Sequence, residues 1–417
     1  MRLYNTLTRR VEPFEVPEDG VDVYVCGITP YDATHLGHAF TYLTLDVVIR
    51  YLEFRGSEVR YVQNVTDVDD DILRKAEELG EDWRSLGDRW TAQFIQDMIA
   101  LNARAPDRFP RATGVIPEIV AVVEKLVEAG LAYESGRSVY FHIDAWPEYG
   151  KLSRLSRDEM LPIANERGNN PDDDNKHDPL DFVLWQAQAP GEPSWESPWG
   201  PGRPGWHIEC STMAVEYLDV PVDIHSGGAD LTFPHHESEI AQAEGATGES
   251  PFVRCWVHTA MVRYEGEKMS KSLGNLIMVD DLLKDWTPDA LRLYLAAHHY
   301  RESWSHEQDD LERAAQLAET LRAAAITQGG SGSPVAPESH RAAFIEAMED
   351  DLDSPLALHH LERLAEAILE GAAHGQKLAS AQDTLRTLGT VFGLRLDASE
   401  SERAVVETWG RYLERFA

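Results

Sequence analysis

Three groups of side chains in this sequence are of types that do chemistry together, and the first is built on sulfur and imidazole. Cys26 follows the β-rich run Val21-Asp22-Val23-Tyr24-Val25, at the strand end where open α/β sheets place ligand-binding residues. Cys210 lies in Trp206-His207-Ile208-Glu209-Cys210-Ser211, ahead of another apolar run. His235 and Glu239 stand four apart in Pro234-His235-His236-Glu237-Ser238-Glu239-Ile240, so a helix started by Pro234 puts both on one face. Two thiolates, an imidazole and a carboxylate make a reasonable zinc set, which a substrate thiolate can join. Spacing alone does not specify a metal. Any one cysteine also suits burial as a small apolar residue.

The other two groups suit phosphate. His35-Leu36-Gly37-His38 falls at a strand-to-helix junction. Gly37 lets backbone approach a ligand closely, and helix N-terminal amides favour anions. His35 and His38 can there stabilise charge developing on an α-phosphate during adenylate formation. Lys268-Met269-Ser270-Lys271-Ser272 sets two ammonium groups on a short polar loop ahead of Gly274. If that loop closes, Lys268 and Lys271 neutralise a departing pyrophosphate. Each motif alone also fits a solvated surface turn. Their order, more than two hundred residues apart, makes the pair specific.

The elements that must position these groups read as alternating strands and helices. After residues 21–25 comes a helical stretch from about Leu36 to Phe54, then the alternating run Glu58-Val59-Arg60-Tyr61-Val62-Gln63. Strand, crossover helix and strand form a parallel unit, so the expected fold class is α/β with a doubly wound parallel sheet. Helical patterns fill about 70–131, and Ser138-Val139-Tyr140-Phe141-His142 is again a strand. Pro, Gly, Asp and Asn dominate 165–204, which predicts a surface excursion rather than a core element. Strands return at 222–225 and 252–257. From about 287 the chain reads helical, interrupted by the Gly/Ser run at 328–334, expected to be flexible.

Composition bounds the function classes. A chain of 417 residues, 43% hydrophobic and 26% charged, is ordinary globular material for two or three structural units. No apolar run reaches the ~18 residues of a membrane span, and no signal-like stretch opens the sequence, so a cytoplasmic protein is expected. Three cysteines (Cys26, Cys210 and Cys255) argue against a disulfide scaffold. The net charge of -34 counts against a large polynucleotide footprint, which needs basic surface.

Taken in order, the motifs resemble those of the cysteine-activating class I aminoacyl-tRNA synthetases, a family that includes the cysteine ligases of mycothiol biosynthesis. The landmarks are Cys26-Gly27-Ile28-Thr29-Pro30-Tyr31-Asp32, His35-Leu36-Gly37-His38, Asn64-Val65-Thr66-Asp67-Val68-Asp69-Asp70, Gly205-Trp206-His207-Ile208-Glu209-Cys210, Pro234-His235-His236-Glu237 and Lys268-Met269-Ser270-Lys271-Ser272. The resemblance implies a catalytic domain over 1–286, with a connective insertion at about 70–204. A C-terminal helical domain follows over 287–417, with a break near 328–337. It also implies that Cys26, Cys210, His235 and Glu239 hold Zn2+, and that ATP, with Mg2+, and L-cysteine are substrates. Gly27, Thr29, Thr41, Asn64, Thr66 and Trp206 match positions around the cysteinyl adenylate. Gly227, Gly228 and Asp230 match the turn under adenosine, and Val262 a backbone contact to adenine. Zinc accounts for selectivity, because it prefers thiolate over a neutral hydroxyl and so separates cysteine from serine.

The resemblance leaves two named acceptors for the activated cysteine, the amine of glucosaminyl-inositol or the tRNA terminus, with another cysteine acceptor as the remaining alternative. The amine is favoured by Cys-Gly-Ile-Thr-Pro-Tyr-Asp with Phe40, by Glu166-Arg167-Gly168-Asn169-Asn170-Pro171, by the absence of a basic module after Leu394, and by the acidity. Retention of Glu239 and the run His235 to Gln242 favour tRNA. Phe344-Ile345-Glu346-Ala347-Met348 with Asp350-Asp351-Leu352-Asp353 fits both. A catalytically silent paralogue with a binding role is the third reading, disfavoured because both phosphate motifs are intact.

Overall fold

The computed structural model describes residues 1–269, 274–396 and 401–415. Its centre is a four-stranded parallel sheet of β1 (Val21–Ile28), β2 (Val59–Val65), β3 (Val222–Gly228) and β4 (Val253–Thr259), in the order β4-β3-β1-β2. The chain runs from β1 outward to β2, then returns to the other side of β1 as β3. That reversal is the topological switch of doubly wound sheets, and it opens a crevice at the strands' carboxyl ends.

Side-chain alternation along β1 assigns its two faces. Val21, Val23 and Val25 join a core with α1 (Leu36–Phe54) and the C-terminal helices, whereas Tyr24 and Cys26 join a second core on the opposite face. That second core contains α2 (Trp206–Tyr217) and α3 (Glu237–Thr247), which carry the other sulfur and carboxylate groups. Alternation therefore decides which side of the sheet Cys26 serves.

Between β2 and α2 the chain builds helices Asp70–Leu79, Trp83–Ala100, Ile116–Glu128 and Arg157–Glu166 beside a four-stranded antiparallel sheet. The reading of 165–204 as an excursion is corrected in part. Phe182–Ala187 and Gly202–Pro204 are strands of that sheet, with Leu184 and Trp185 fully buried. The short apolar run Phe182-Val183-Leu184-Trp185 was masked by Pro and Gly on either side. The helical reading of 70–131 also breaks, because Arg108 and Arg111 lie as bridges along β2 and cover its edge.

The C-terminal part is helical except for Trp304–His306, a short strand parallel to Val262–Tyr264. The Gly/Ser run expected to be flexible is docked: Gly330 donates to Gln376 and Gly332 to Gly375. Glycine is needed at 330 for close approach, since a Cβ there would stand 2.2 Å from the Gly375 carbonyl oxygen. No helix among the described residues is long and apolar enough to cross a membrane.

A buried ion-pair network ties α1 to this helical part. Asp46 is paired with Arg292 and with Arg50 at 2.9 Å, and accepts from the Arg104 amide at 2.7 Å. Arg292 also donates to the carbonyls of Leu101, at 2.8 Å, and Phe392. Burial works to raise the Asp46 carboxyl, but the Arg50 and Arg292 guanidiniums outweigh it and hold the group below its ordinary value. Removing Arg292 leaves Asp46 to Arg50 alone and takes the donor from two buried carbonyls, so Arg292→Met is expected to lose ~1–3 kcal/mol of stability in urea unfolding. A midpoint and slope unchanged from the parent would contradict this.

Candidate functional site

The site forms where β1 and β3 diverge. The register between β1 and β2 shifts between Val25 and Ile28, and this irregularity carries Cys26 and Gly27. Gly27 donates its amide to Asn64 Oδ1 at 2.8 Å, and a Cβ on it would fall 1.6 Å from the Asn64 carbonyl oxygen. No other residue fits between the two strands there. Asn64 in turn donates to Thr66 Oγ1 at 3.2 Å.

Cys210 lies in the second turn of α2, and Glu239 in the first turn of α3. The helix expected to start at Pro234 begins instead at Glu237, after a wide turn over Thr232–His236. His235 and Glu239 nevertheless meet, with Nε2 and Oε1 3.1 Å apart. Ligand atoms of Cys26, Cys210, His235 and Glu239 all lie within 4.8 Å of one another, and all four residues are buried.

Neighbouring imidazoles hold these groups in place. His207 Nδ1 meets His235 Nδ1 at 2.9 Å, which leaves His235 Nε2 for the cluster, while Trp206 stacks on the His235 ring at 4.2 Å. His225 Nε2 meets Glu239 Oε2 at 2.9 Å. His236 Nε2 approaches Cys26 Sγ at 3.3 Å. Outer groups of this kind fix the rotamer and tautomer of metal ligands. The sequence motifs alone give His207, His225 and His236 no role. The available signal was density, since His207, His225, His235, His236 and His258 are all buried together.

Burial sets the electrostatics. It pushes the Glu239 carboxyl well up, and it pushes the Cys26 thiol well up with help from neighbouring Cys210 and Glu239. The same burial lowers His207 and His225 to about 3, and His235 and His236 well below their ordinary value. The ionic and hydrogen-bonding partners of Glu239 are imidazoles and a thiol, with no guanidinium or ammonium among the described residues. A buried cation is the group that lets such thiols and carboxylates ionise. The donor set and its spacing fit a divalent ion with a preference for sulfur.

The cluster opens onto a cleft of about 1140 Å³. Cys26, Cys210 and His235 line it, as do Gly27, Thr29, Thr41, Asn64, Thr66, Trp206, Gly228, Asp230 and Val262. Glu239 lies behind this surface. Gly227 does not line the cleft; its missing side chain makes room for Leu231 and His236. Thr41 Oγ1 meets Thr259 Oγ1 at 2.7 Å and ties α1 to the end of β4.

His35 and His38 reach the same cleft. His35 is the N-cap of α1, its Nδ1 accepting from the amides of Gly37 and His38 at 3.1 and 3.3 Å. That assigns the proton to Nε2. The two rings stack at 3.7 Å. Lys268 is described through its backbone, which pairs with Arg263; Lys271 lies outside the described residues. The insertion contributes Glu166, Arg167, Gly168, Asn169 and Asn170 to the cleft wall, and Arg167 pairs with Asp230 at 3.3 Å.

Comparison with known proteins follows this geometry. Residues 13–316 match the tRNA synthetases class I (C) catalytic domain, and residues 343–397 match the DALR domain. An L-cysteine:1D-myo-inositol 2-amino-2-deoxy-alpha-D-glucopyranoside ligase of Thermomonospora curvata is 48% identical over 92% of this chain and 91% of its own. A cysteine--tRNA ligase of Dehalococcoides mccartyi is 42% identical over 96% of this chain and 87% of its own. Among solved structures, Mycobacterium tuberculosis methionyl-tRNA synthetase in complex with methionyl-adenylate superposes with a TM-score of 0.64. It covers 95% of this chain and 93% of its own at 16% identity, a likeness of fold.

The close approach at Gly27 is testable by itself. Gly27→Ala is expected to lose ~1–3 kcal/mol or more in urea unfolding, because a rigid backbone must shift. Gly114→Ala, where a Cβ meets open space, serves as the control. Superimposable curves for the two variants would contradict the packing.

Proposed function

The chain belongs to the class I (C) tRNA synthetase family, and we propose that it activates L-cysteine with ATP and transfers it to the amine of glucosaminyl-inositol. The observation that carries the first half is the buried Cys26, Cys210, His235 and Glu239 cluster facing the cleft lined by His35 and His38. Zinc held by those four residues supplies a thiol-selective Lewis acid that separates cysteine from serine. The rest falls to the protein's own groups.

Thr29, Thr41, Asn64, Thr66 and Trp206 enclose cysteine beside that centre, while Gly228, Asp230 and Val262 receive adenosine. The substrate carboxylate attacks the α-phosphorus of Mg2+-bound ATP and pyrophosphate leaves, giving cysteinyl-AMP. His35, fixed as an Nε2–H donor, and His38 stabilise the charge that builds on the α-phosphate. Lys268 and Lys271 neutralise the pyrophosphate. The acceptor nitrogen then attacks the carbonyl, AMP departs and an amide forms. These substrates suit a cytoplasmic enzyme.

Two observations support the amine as acceptor. The insertion segment from Glu166 to Asn170, whose sequence favours the amine, forms part of the cleft wall. The second is the closer match to the Thermomonospora curvata ligase. Transfer to tRNA is the competing reading, favoured by Glu239 standing inside the ligand set.

Three measurements test this. Cysteine-dependent exchange of pyrophosphate into ATP is expected, falling at least ~100-fold in His38→Ala with the fold preserved; unchanged turnover removes His38 from its role. Cys26→Ala is expected to lose zinc and exchange together, and full metal content would refute the ligand set. Offered labelled cysteine, ATP and either acceptor, the enzyme is expected to label glucosaminyl-inositol. Label entering tRNA alone would overturn the acceptor while leaving activation intact.

A further inference from the structure

Two sets of ligand atoms converge on Cys26 and Glu239. One adds Cys210 and His235. The other adds His225 and His236, and its ligand atoms also lie within 4.8 Å of one another. His225 Nε2 stands 2.9 Å from Glu239 Oε2, and His236 Nε2 stands 3.3 Å from Cys26 Sγ. These separations fall a few tenths of an ångström inside the ~3.3–3.7 Å edges of a tetrahedron with ~2.0–2.3 Å bonds, so small rotations open a position for an ion.

The two sets differ in what they face. Cys210 and His235 line the cleft, whereas His225 and His236 are wholly buried behind it. The inner set is also supported from outside. His236 Nδ1 meets His258 Nε2 at 2.7 Å, and His258 Nδ1 meets Thr6 Oγ1 at 2.8 Å. This chain turns His236 Nε2 toward Cys26, as His207 turns His235 Nε2 toward Glu239. Gly227 keeps the space, since a Cβ there would come within 3.0 Å of His236 Cε1.

We propose that the cluster offers zinc a second, inner position, held by Cys26, His225, His236 and Glu239, that retains the ion when Cys210 and His235 are withdrawn. The inference rests on the reading of the cluster as a metal centre. One ion serves both positions, because each needs Cys26 and Glu239. The outer position presents the ion to a substrate thiol. The inner one screens it from the cleft.

The test uses the full chain titrated with Co2+ as a spectroscopic stand-in for zinc. Cys210→Ala/His235→Ala is expected to bind one Co2+ per chain, with a weaker thiolate-to-cobalt band because one sulfur remains. Adding His236→Ala is expected to abolish binding. A folded double variant that takes up no Co2+, or a triple variant that still does, overturns the inner position. Absence of binding in the parent protein would instead remove the metal-centre reading, and this inference with it. Should the double variant fail to fold, His225→Asn/His236→Gln leaves the outer set intact. There, zinc release to a chelator is expected to quicken about tenfold, and an unchanged release rate overturns the proposal.

Discussion

Burial of two thiols, imidazoles and a carboxylate in one place is the constraint from which the rest of this structure follows. In a low-dielectric interior every ionised form of these groups is disfavoured, and the shifts at Glu239, Cys26 and the histidines all run that way. Such a cluster is tolerable only if its members are held against one another, or share a cation. The fold supplies the holding. β1 brings Cys26 to the crest of the sheet, α2 brings Cys210, and the turn into α3 brings His235 and Glu239. Three segments, the first separated from the other two by the whole insertion, must meet to within a few ångströms. That is why the glycine at 27 and the alternation along β1 matter more than local helix or strand propensity.

The sequence exposed those parts of the fold whose local signals agree with their tertiary setting. The helix from Leu36 to Phe54 is visible because its cap and its apolar residues point the same way. Cys26, Cys210 and His235 were identifiable because their motifs are specific, and the cleft brings most of the expected adenylate residues together with them. Phe182–Ala187 was hidden because Pro and Gly on either side outweigh six strand residues in any composition window. Gly330 was mistaken for flexibility because a glycine needed for contact looks the same as one needed for freedom. The supports contributed by His207, His225 and His258 could not be assigned, since each joins a residue far along the chain.

The acidity of the chain acquires a partly structural meaning. Glu349 accepts from Tyr51 at the end of α1 and pairs with Arg55, while Asp351 accepts from the Tyr4 amide at 2.7 Å and from Tyr300 at 2.6 Å. Arg301 donates to Asp351 at 2.7 Å. The acidic segment after Met348 therefore clamps the strand Arg2–Asn5 and α1 to the helical domain. Together with Asp46 and Arg292, it fixes α1, whose first turn carries His35 and His38, from its middle and its far end. Carboxylates remote from the cleft thus hold the helix whose start carries His35 and His38.

On the proposed function, activation and transfer draw on different parts of the chain, which suits relatives named for different acceptors. The groups placed for adenylate formation stand on the crest of the parallel sheet and at the start of α1. Changes there disturb β1, β3 and the buried cluster at once. The far wall of the cleft comes from the insertion, around Arg157–Glu166 and the polar residues after it, and touches the crest through Arg167 and Asp230. Met160, Ala164 and Phe182 share the second core with Cys26, Cys210 and Phe233, so only the polar residues that face the cleft can change without disturbing the buried cluster. Acceptor choice is therefore free to vary where thiol recognition is not. On the proposed function, polar residues of the insertion that face the cleft join Phe40 and the run from Cys26 to Asp32 as positions where one acceptor can be told from another.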